Sequence, residues 1–271
     1  MRRARVDFVT LLAATALVAG LVVVAGGPAS AWATCRSLPF ATLVSLPFAL
    51  AAAAAGMVSP SGAVAGLVIA STLLAGAGWP AWLQLGVVLV VTTSATRAGR
   101  TRNIRKELLD DPRGRGWRNI AANTGLAACA AIGARNPAMR DQAAVVVAAV
   151  LIAGAGDTGA SEIGKAFGGL TATTFTRLRR VPAGTPGAVS PIGTLSGIVS
   201  ATAMAVCARL VGLVRPHEVW VVATAGGLAI LADSAIADLL EARRWIDNDG
   251  VNLLATWTAA AAAIGLSVLG A

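Results

Sequence analysis

The residues best able to do chemistry in this chain are acids placed where acids are costly. Asp157 closes a long apolar run in the segment Gly156-Asp157-Thr158-Gly159-Ala160-Ser161-Glu162-Ile163-Gly164, and Asp233 lies inside another apolar run. Near the end, Ile246-Asp247-Asn248-Asp249 with Asn252 adds two more carboxylates and two amides. An acid at the centre of a membrane-spanning helix costs roughly 2.5–3.5 kcal/mol on insertion scales, so such residues face a bundle interior or a wet cavity. Between these blocks, residues 177–194 read RLRRVPAGTPGAVSPIGT. This composition forbids a regular helix and predicts a constrained loop with exposed backbone N–H groups. Arg177, Arg179 and Arg180, with Gly184, Thr185, Gly187 and a following helix N-terminus, suit a phosphate group. Acids opposite a basic loop are reconciled by Mg²⁺ or a similar divalent cation, which commonly takes one or two carboxylates plus phosphate oxygens. Asp157 is the first ligand expected, then Asp247, Asp249 and Asp233. Arg118 and Asn123 supply further polar groups. The structural alternatives are that Asp157 and Asp233 only lock helices together, and that 177–194 is a basic connector.

Helical spacing limits this grouping. Asp157 and Ser161 at i, i+4 share a face, whereas Glu162 at i+5 points elsewhere unless the helix breaks near Gly159; Asp233 and Asp238 pose the same problem. Several other chemistries are disfavoured. Gly154-Ala155-Gly156-Asp157-Thr158-Gly159 spells GxGxxG, but without the βαβ setting of a dinucleotide site, and there is no GxxxxGK[ST] phosphate loop. His217 is the sole histidine, which argues against Ser-His hydrolysis and His-rich metal sites.

The elements that must position these residues are set by hydropathy. Of 271 residues, 56% are hydrophobic and 13% charged, with a mean hydropathy of +0.73. A spanning helix needs about 20 mostly apolar residues, because every backbone polar group must be satisfied within the segment. Nine candidates follow, near 8–26, 38–58, 61–78, 81–96, 119–134, 142–158, 190–213, 217–240 and 251–270, so the fold class expected is an all-α polytopic membrane bundle. No charged stretch between them is long enough for a separate core, and residues 1–271 read as one membrane domain. The first run could instead be a signal peptide ending near Ala29-Ser30-Ala31, although it is longer than a usual signal core.

Orientation follows from Lys/Arg bias. With the N-terminus inside, 17 of the 22 Lys and Arg fall on the inner side, and the outer side keeps Arg36, Arg135, Arg140, Arg209 and Arg215. The C-terminus is then outside, and all the polar clusters above lie on the cytoplasmic face. Asp157 and Asp233 each lie about 15 residues from the outer end of their helices, so at 1.5 Å per residue they reach similar depth. The net charge of +9 is explained by these connecting segments, and nucleic acid is not an expected partner. Cys35, Cys129 and Cys207 are too few and too scattered for a disulfide framework or zinc site.

Six blocks together resemble a known pattern: Ser59-Pro60-Ser61-Gly62-Ala63, GWRNIAAN at 116–123, GDTGASEIG at 156–164, RRVPAGTPGAVSPIGTLSG at 179–197, Asp233-Ser234, and IDNDGVN at 246–252. Their order resembles the integral-membrane family, long listed as a domain of unknown function, that includes plant and cyanobacterial phytyl-phosphate kinases. The chain departs from that pattern at Gly156, usually Ala, at Gly159, usually Trp, and at Pro186-Gly187, usually Asn-Gly. The resemblance implies transfer of a phosphoryl group from a nucleotide, CTP favoured over ATP, to a prenyl monophosphate, giving the diphosphate. It carries catalytic roles to Asp157, Ser161, Glu162 and Asp233, and substrate or metal contacts to Arg180, Gly184, Thr185, Gly187, Asp247, Asn248, Asp249 and Asn252. The setting expected is the cytoplasmic membrane of a bacterium, with lipids and nucleotide as partners; the sequence carries no signal of oligomeric state. A lipid-phosphate cytidylyltransferase could use the same parts and release pyrophosphate, and a transporter could use buried acids and broken helices.

Overall fold

The structure is a computed structural model that describes Phe8, residues 10–13, 15, 16, 27–105 and 115–269, with backbone alone at 101 and 103–105. Eight long helices follow one another: α1 (Pro28–Ala54), α2 (Pro60–Ala77), α3 (Trp79–Arg105), α4 (Trp117–Gly133), α5 (Arg140–Phe167), α6 (Pro191–Leu210), α7 (Val219–Ile236) and α8 (Asn248–Leu269). A 3₁₀ turn, Pro216–Glu218, leads into α7, and a π turn, Ala237–Glu241, continues it. Among the described residues seven helices are long and apolar enough to cross a membrane. The eighth, α4, has 17 residues. Most of the first expected span, 8–26, lies outside the described residues; its described residues are helical. The chain is an α-helical integral membrane protein.

The bundle is wrapped around α5. Of its most apolar window 78% is buried, against 17 to 44% in the other six candidate spans. Val145 and Val147–Ile152 are almost wholly inaccessible, whereas Phe40, Leu43 and Phe48 of α1 are turned outward, as lipid-facing side chains should be. Small residues let the helices approach. A Cβ on Gly76 of α2 would strike the Ala131 backbone of α4, and one on Gly159 of α5 would strike Ser200 of α6. In lipid such van der Waals packing replaces the hydrophobic drive as the glue between helices.

Two elements depart from the sequence expectation. α1 begins at Pro28, ten residues before the expected 38, and carries Pro39 and Pro47 within it; membrane helices tolerate Pro where neighbouring groups re-satisfy the freed carbonyls. Residues 171–189 are not an open loop. Thr171–Thr174 (β1), Arg180–Pro182 (β2) and Ala188–Val189 (β3) form a small antiparallel sheet in the order β2-β1-β3. Thr171 pairs with Pro182, Thr173 with Arg180, and Thr174 with Ala188. Short Thr- and Val-bearing stretches between Gly/Pro turns can pair once their partners are near, and the pairing satisfies amides that the sequence reading left exposed.

Contacts divide the bundle into two ends. At one end Arg97 donates to the Ala55 carbonyl (2.8 Å), Ser59 N–H to the Arg115 carbonyl (3.1 Å), and Arg115 to Thr92 (2.9 Å) and Thr96 (3.3 Å). The Arg102 guanidinium lies 4.2 Å from the Phe167 ring centre at the same end. At the other, Arg135 donates to the Ala75 carbonyl (2.6 Å) and to Ser37 (3.0 Å), and Arg215 pairs with Asp141.

Candidate active site

Every sequence-predicted site residue sits at the first of these ends, but they separate into distinct groups. α5 runs unbroken through Gly159 to Phe167. Asp157, Ser161 and Lys165 therefore stand at i, i+4 and i+8, one stripe along the helix. The side chain of Asp233, from α7, lies beside that of Asp157, within electrostatic and hydrogen-bonding reach. Its Oδ1 is buried and has no hydrogen-bond partner among the described residues. Two carboxyl groups side by side repel unless a proton or a cation lies between them. Glu241, in the π turn, lies within electrostatic reach of Asp157, Asp233, Asp247 and Lys165. A π turn inserts an extra residue and often marks a functional segment; here it carries Asp238 toward the sheet and Glu241 toward the carboxyl pair.

Glu241 and Lys165 were not among the residues singled out from the sequence. Lys165 was legible as the next member of the Asp157/Ser161 stripe. Glu241 was not, because its place depends on the π turn. Glu162, five residues on from Asp157, is turned away from it around α5 and is buried at 9% exposure, because the helix does not break at Gly159. That glycine is instead covered by α6, whose Ser196 hydroxyl donates to the Gly159 carbonyl (3.0 Å).

Asp247 and Asp249 form a second group. Both pair with Arg118 of α4, Asp249 at 3.2 Å. Asp247 also accepts from Gly250 N–H at 3.0 Å, capping the start of α8. Among the described residues no three His, Cys, Asp or Glu side chains come together in a way that could hold a metal ion. The expected ligand set Asp157, Asp247 and Asp249 is thus not assembled by protein groups alone, because Arg118 already balances the last two. Asn248 lies exposed at the first position of α8, and Asn252 is buried one turn on. Asn123 bonds to its own helix at the Asn119 carbonyl (2.9 Å) and packs against Gly154 of α5.

The sheet forms the third group. Both Thr176 donors, its N–H at 2.9 Å and its hydroxyl, go to Asp238, which is buried and lies in the π turn. Arg177 is within electrostatic reach of the same carboxylate. Gly187 adopts φ +71° and lies where any Cβ would meet the Asp238 backbone. Thr185 folds back on the Pro182 carbonyl (2.7 Å) and Gly184 takes φ +84°. Arg179 and Arg180 are exposed. Several amides expected to face a phosphate are occupied: Ala183 N–H bonds to Leu170, Ala188 N–H to Thr185, and Gly193 N–H to the Ser190 side chain that caps α6. The anion-binding capacity of this segment therefore rests more on its guanidinium groups than on free backbone donors.

Residues 43–260 match the family described as integral membrane protein DUF92. The chain belongs to that family. It is 32% identical over 243 residues to the uncharacterized membrane protein sll0875 of Synechocystis sp., covering 87% of this chain and 94% of that protein. It is also 39% identical over 103 residues to Protein VTE6, chloroplastic, of Arabidopsis thaliana, covering 36% of this chain and 30% of VTE6. No solved structure matches.

Proposed function

We propose that this chain is a membrane-embedded prenyl-phosphate kinase, which moves the terminal phosphoryl group of a nucleotide, CTP in preference to ATP, onto a prenyl monophosphate. The observation carrying this reading is the Asp157–Asp233 carboxyl pair, flanked by Glu241 and Lys165 and placed next to the π turn on which the Arg-bearing sheet docks. The motif resemblance supports the substrate class. A phosphate oxygen of the lipid attacks the terminal phosphorus, the bond to the leaving nucleoside diphosphate breaks, and a prenyl diphosphate results. Such transfer needs positioning and charge neutralisation more than a dedicated base. Asp157 and Asp233 would hold Mg²⁺, with the unpartnered Asp233 Oδ1 as a free ligand atom, and the ion would neutralise charge on the nucleotide phosphates. Lys165, Arg177, Arg179 and Arg180 would orient the phosphate oxygens. The prenyl tail would lie among the helices.

Purified protein in detergent, given Mg²⁺, phytyl or geranylgeranyl monophosphate and labelled CTP or ATP, should yield a lipid product heavier by one phosphate. A product heavier by CMP would assign a cytidylyltransferase instead. Nucleotide-independent solute flux in sealed vesicles, with no lipid product, would mean a transporter.

We also propose that the site end faces the cytoplasm, on the strength of its excess of basic residues. In a cysteine-free background, Ala138→Cys between α4 and α5 should react with an impermeant maleimide in intact cells. Ala242→Cys after the π turn should react only once the membrane is opened. The reverse pattern would invert the topology.

A further inference from the structure

Of the five basic residues that the sequence leaves on the outer side, four line one cavity. It measures about 590 Å³ and lies at the end of the bundle opposite the carboxyl pair, between the ends of α2, α4 and α6 and the starts of α3, α5 and α7. Arg135, Arg140, Arg209 and Arg215 face it together with only two carboxylates, Asp141 and Glu218. Both carboxylates are already engaged: Asp141 pairs with Arg215, and Glu218 accepts from the Arg215 N–H at 2.6 Å. Arg135 is spent on the Ala75 carbonyl and Ser37. The side chains of Arg140 and Arg209 make no hydrogen bond or ion pair with any described residue. The start of α5, at Met139 and Arg140, has no side-chain cap, so its first amides and helix dipole add positive character to the same place. Leu213 and Val214, both buried, supply apolar wall.

Uncompensated guanidinium groups lining one cavity repel one another. A phosphate-bearing anion would relieve that repulsion, and guanidinium groups bind phosphate by paired donors. The cavity volume falls within the ~300–1,000 Å³ typical of small-molecule sites, which leaves room for more than a lone anion. We propose that this cavity is a binding site for a phosphate group, carried by the headgroup of an anionic phospholipid or free in solution, on the face of the membrane opposite the candidate active site.

Thermal unfolding of the full chain in neutral detergent tests the site. Adding phosphatidylglycerol should raise Tm by about 5 °C, adding phosphatidylcholine should not, and R140Q/R209Q should abolish the rise. Those two side chains have no partner among the described residues, so their loss should leave the bundle folded. Arg36→Gln, on the same end but outside the cavity, should keep the full shift. An equal rise with inorganic phosphate in lipid-free detergent, also lost in R140Q/R209Q, would retain the site and make a free anion its ligand. The proposal is overturned if neither probe shifts Tm, or if R140Q/R209Q keeps the shift. An Arg36→Gln variant that loses it equally would mean diffuse surface attraction, which also overturns it.

Discussion

Asp157→Asn should lower the rate of prenyl-diphosphate formation by roughly 10²–10³-fold, the scale seen when one preorganised charge-stabilising group is removed from a site. The protein should meanwhile unfold at the same temperature or higher. The stability half of this expectation follows from the geometry: Asp157 and Asp233 face each other as two carboxyl groups, and a neutral amide at one position removes their repulsion. Asp233→Asn should behave in the same way, and the double variant should be little worse than either single one, because residues that act as a unit are not additive. Asp247→Asn should cost much less, since its carboxylate is paired with Arg118 and caps α8. Lipid-product mass spectrometry and a melting curve on the same preparations decide the matter. If Asp157→Asn keeps full activity, the pair only locks helices and the proposed centre is wrong.

Gly187→Ala should free the sheet from the bundle. Its φ of +71° costs a non-glycine residue about 1–3 kcal/mol, and the new methyl would meet the backbone of Asp238. Each 1.4 kcal/mol of lost docking raises the open population tenfold. Tryptic cleavage after Arg177, Arg179 and Arg180 should therefore accelerate by roughly 10–100-fold, with helical circular dichroism unchanged. Thr176→Val, which loses only the hydroxyl bond to Asp238 and keeps the amide one, should fall between wild type and Gly187→Ala. Unaltered cleavage in Gly187→Ala would show that the sheet is not held through this contact.

Legibility from the sequence was uneven, for identifiable reasons. Helices were plain because membrane insertion acts on each apolar segment separately; among the described residues it is their ends that moved, as with α5, which starts at Arg140 and continues to Phe167 rather than stopping near 158. Pro and Gly in 177–194 excluded a helix, yet the sheet stayed hidden, because β2 and β3 exist only by pairing with β1, which precedes that segment. Glu162 was joined to Asp157 by the family resemblance alone, while its i+5 spacing set it apart on an unbroken helix, and α5 is unbroken.

The sequence by itself determined that the chain lives in a membrane, how its apolar segments alternate, and therefore that its polar blocks collect at one end: backbone hydrogen bonding in lipid leaves each segment little choice but to be a helix. Tertiary structure decided what those polar residues do to one another. It set Asp233 against Asp157, used Arg118 to balance Asp247 and Asp249, brought Glu241 in through a π turn, and gathered four scattered arginines around one cavity. Those outcomes depend on the rotation of each helix about its axis and on close approach at residues such as Gly76, Gly159 and Gly187. Both are settled by packing between segments far apart in the chain, which local hydropathy does not encode.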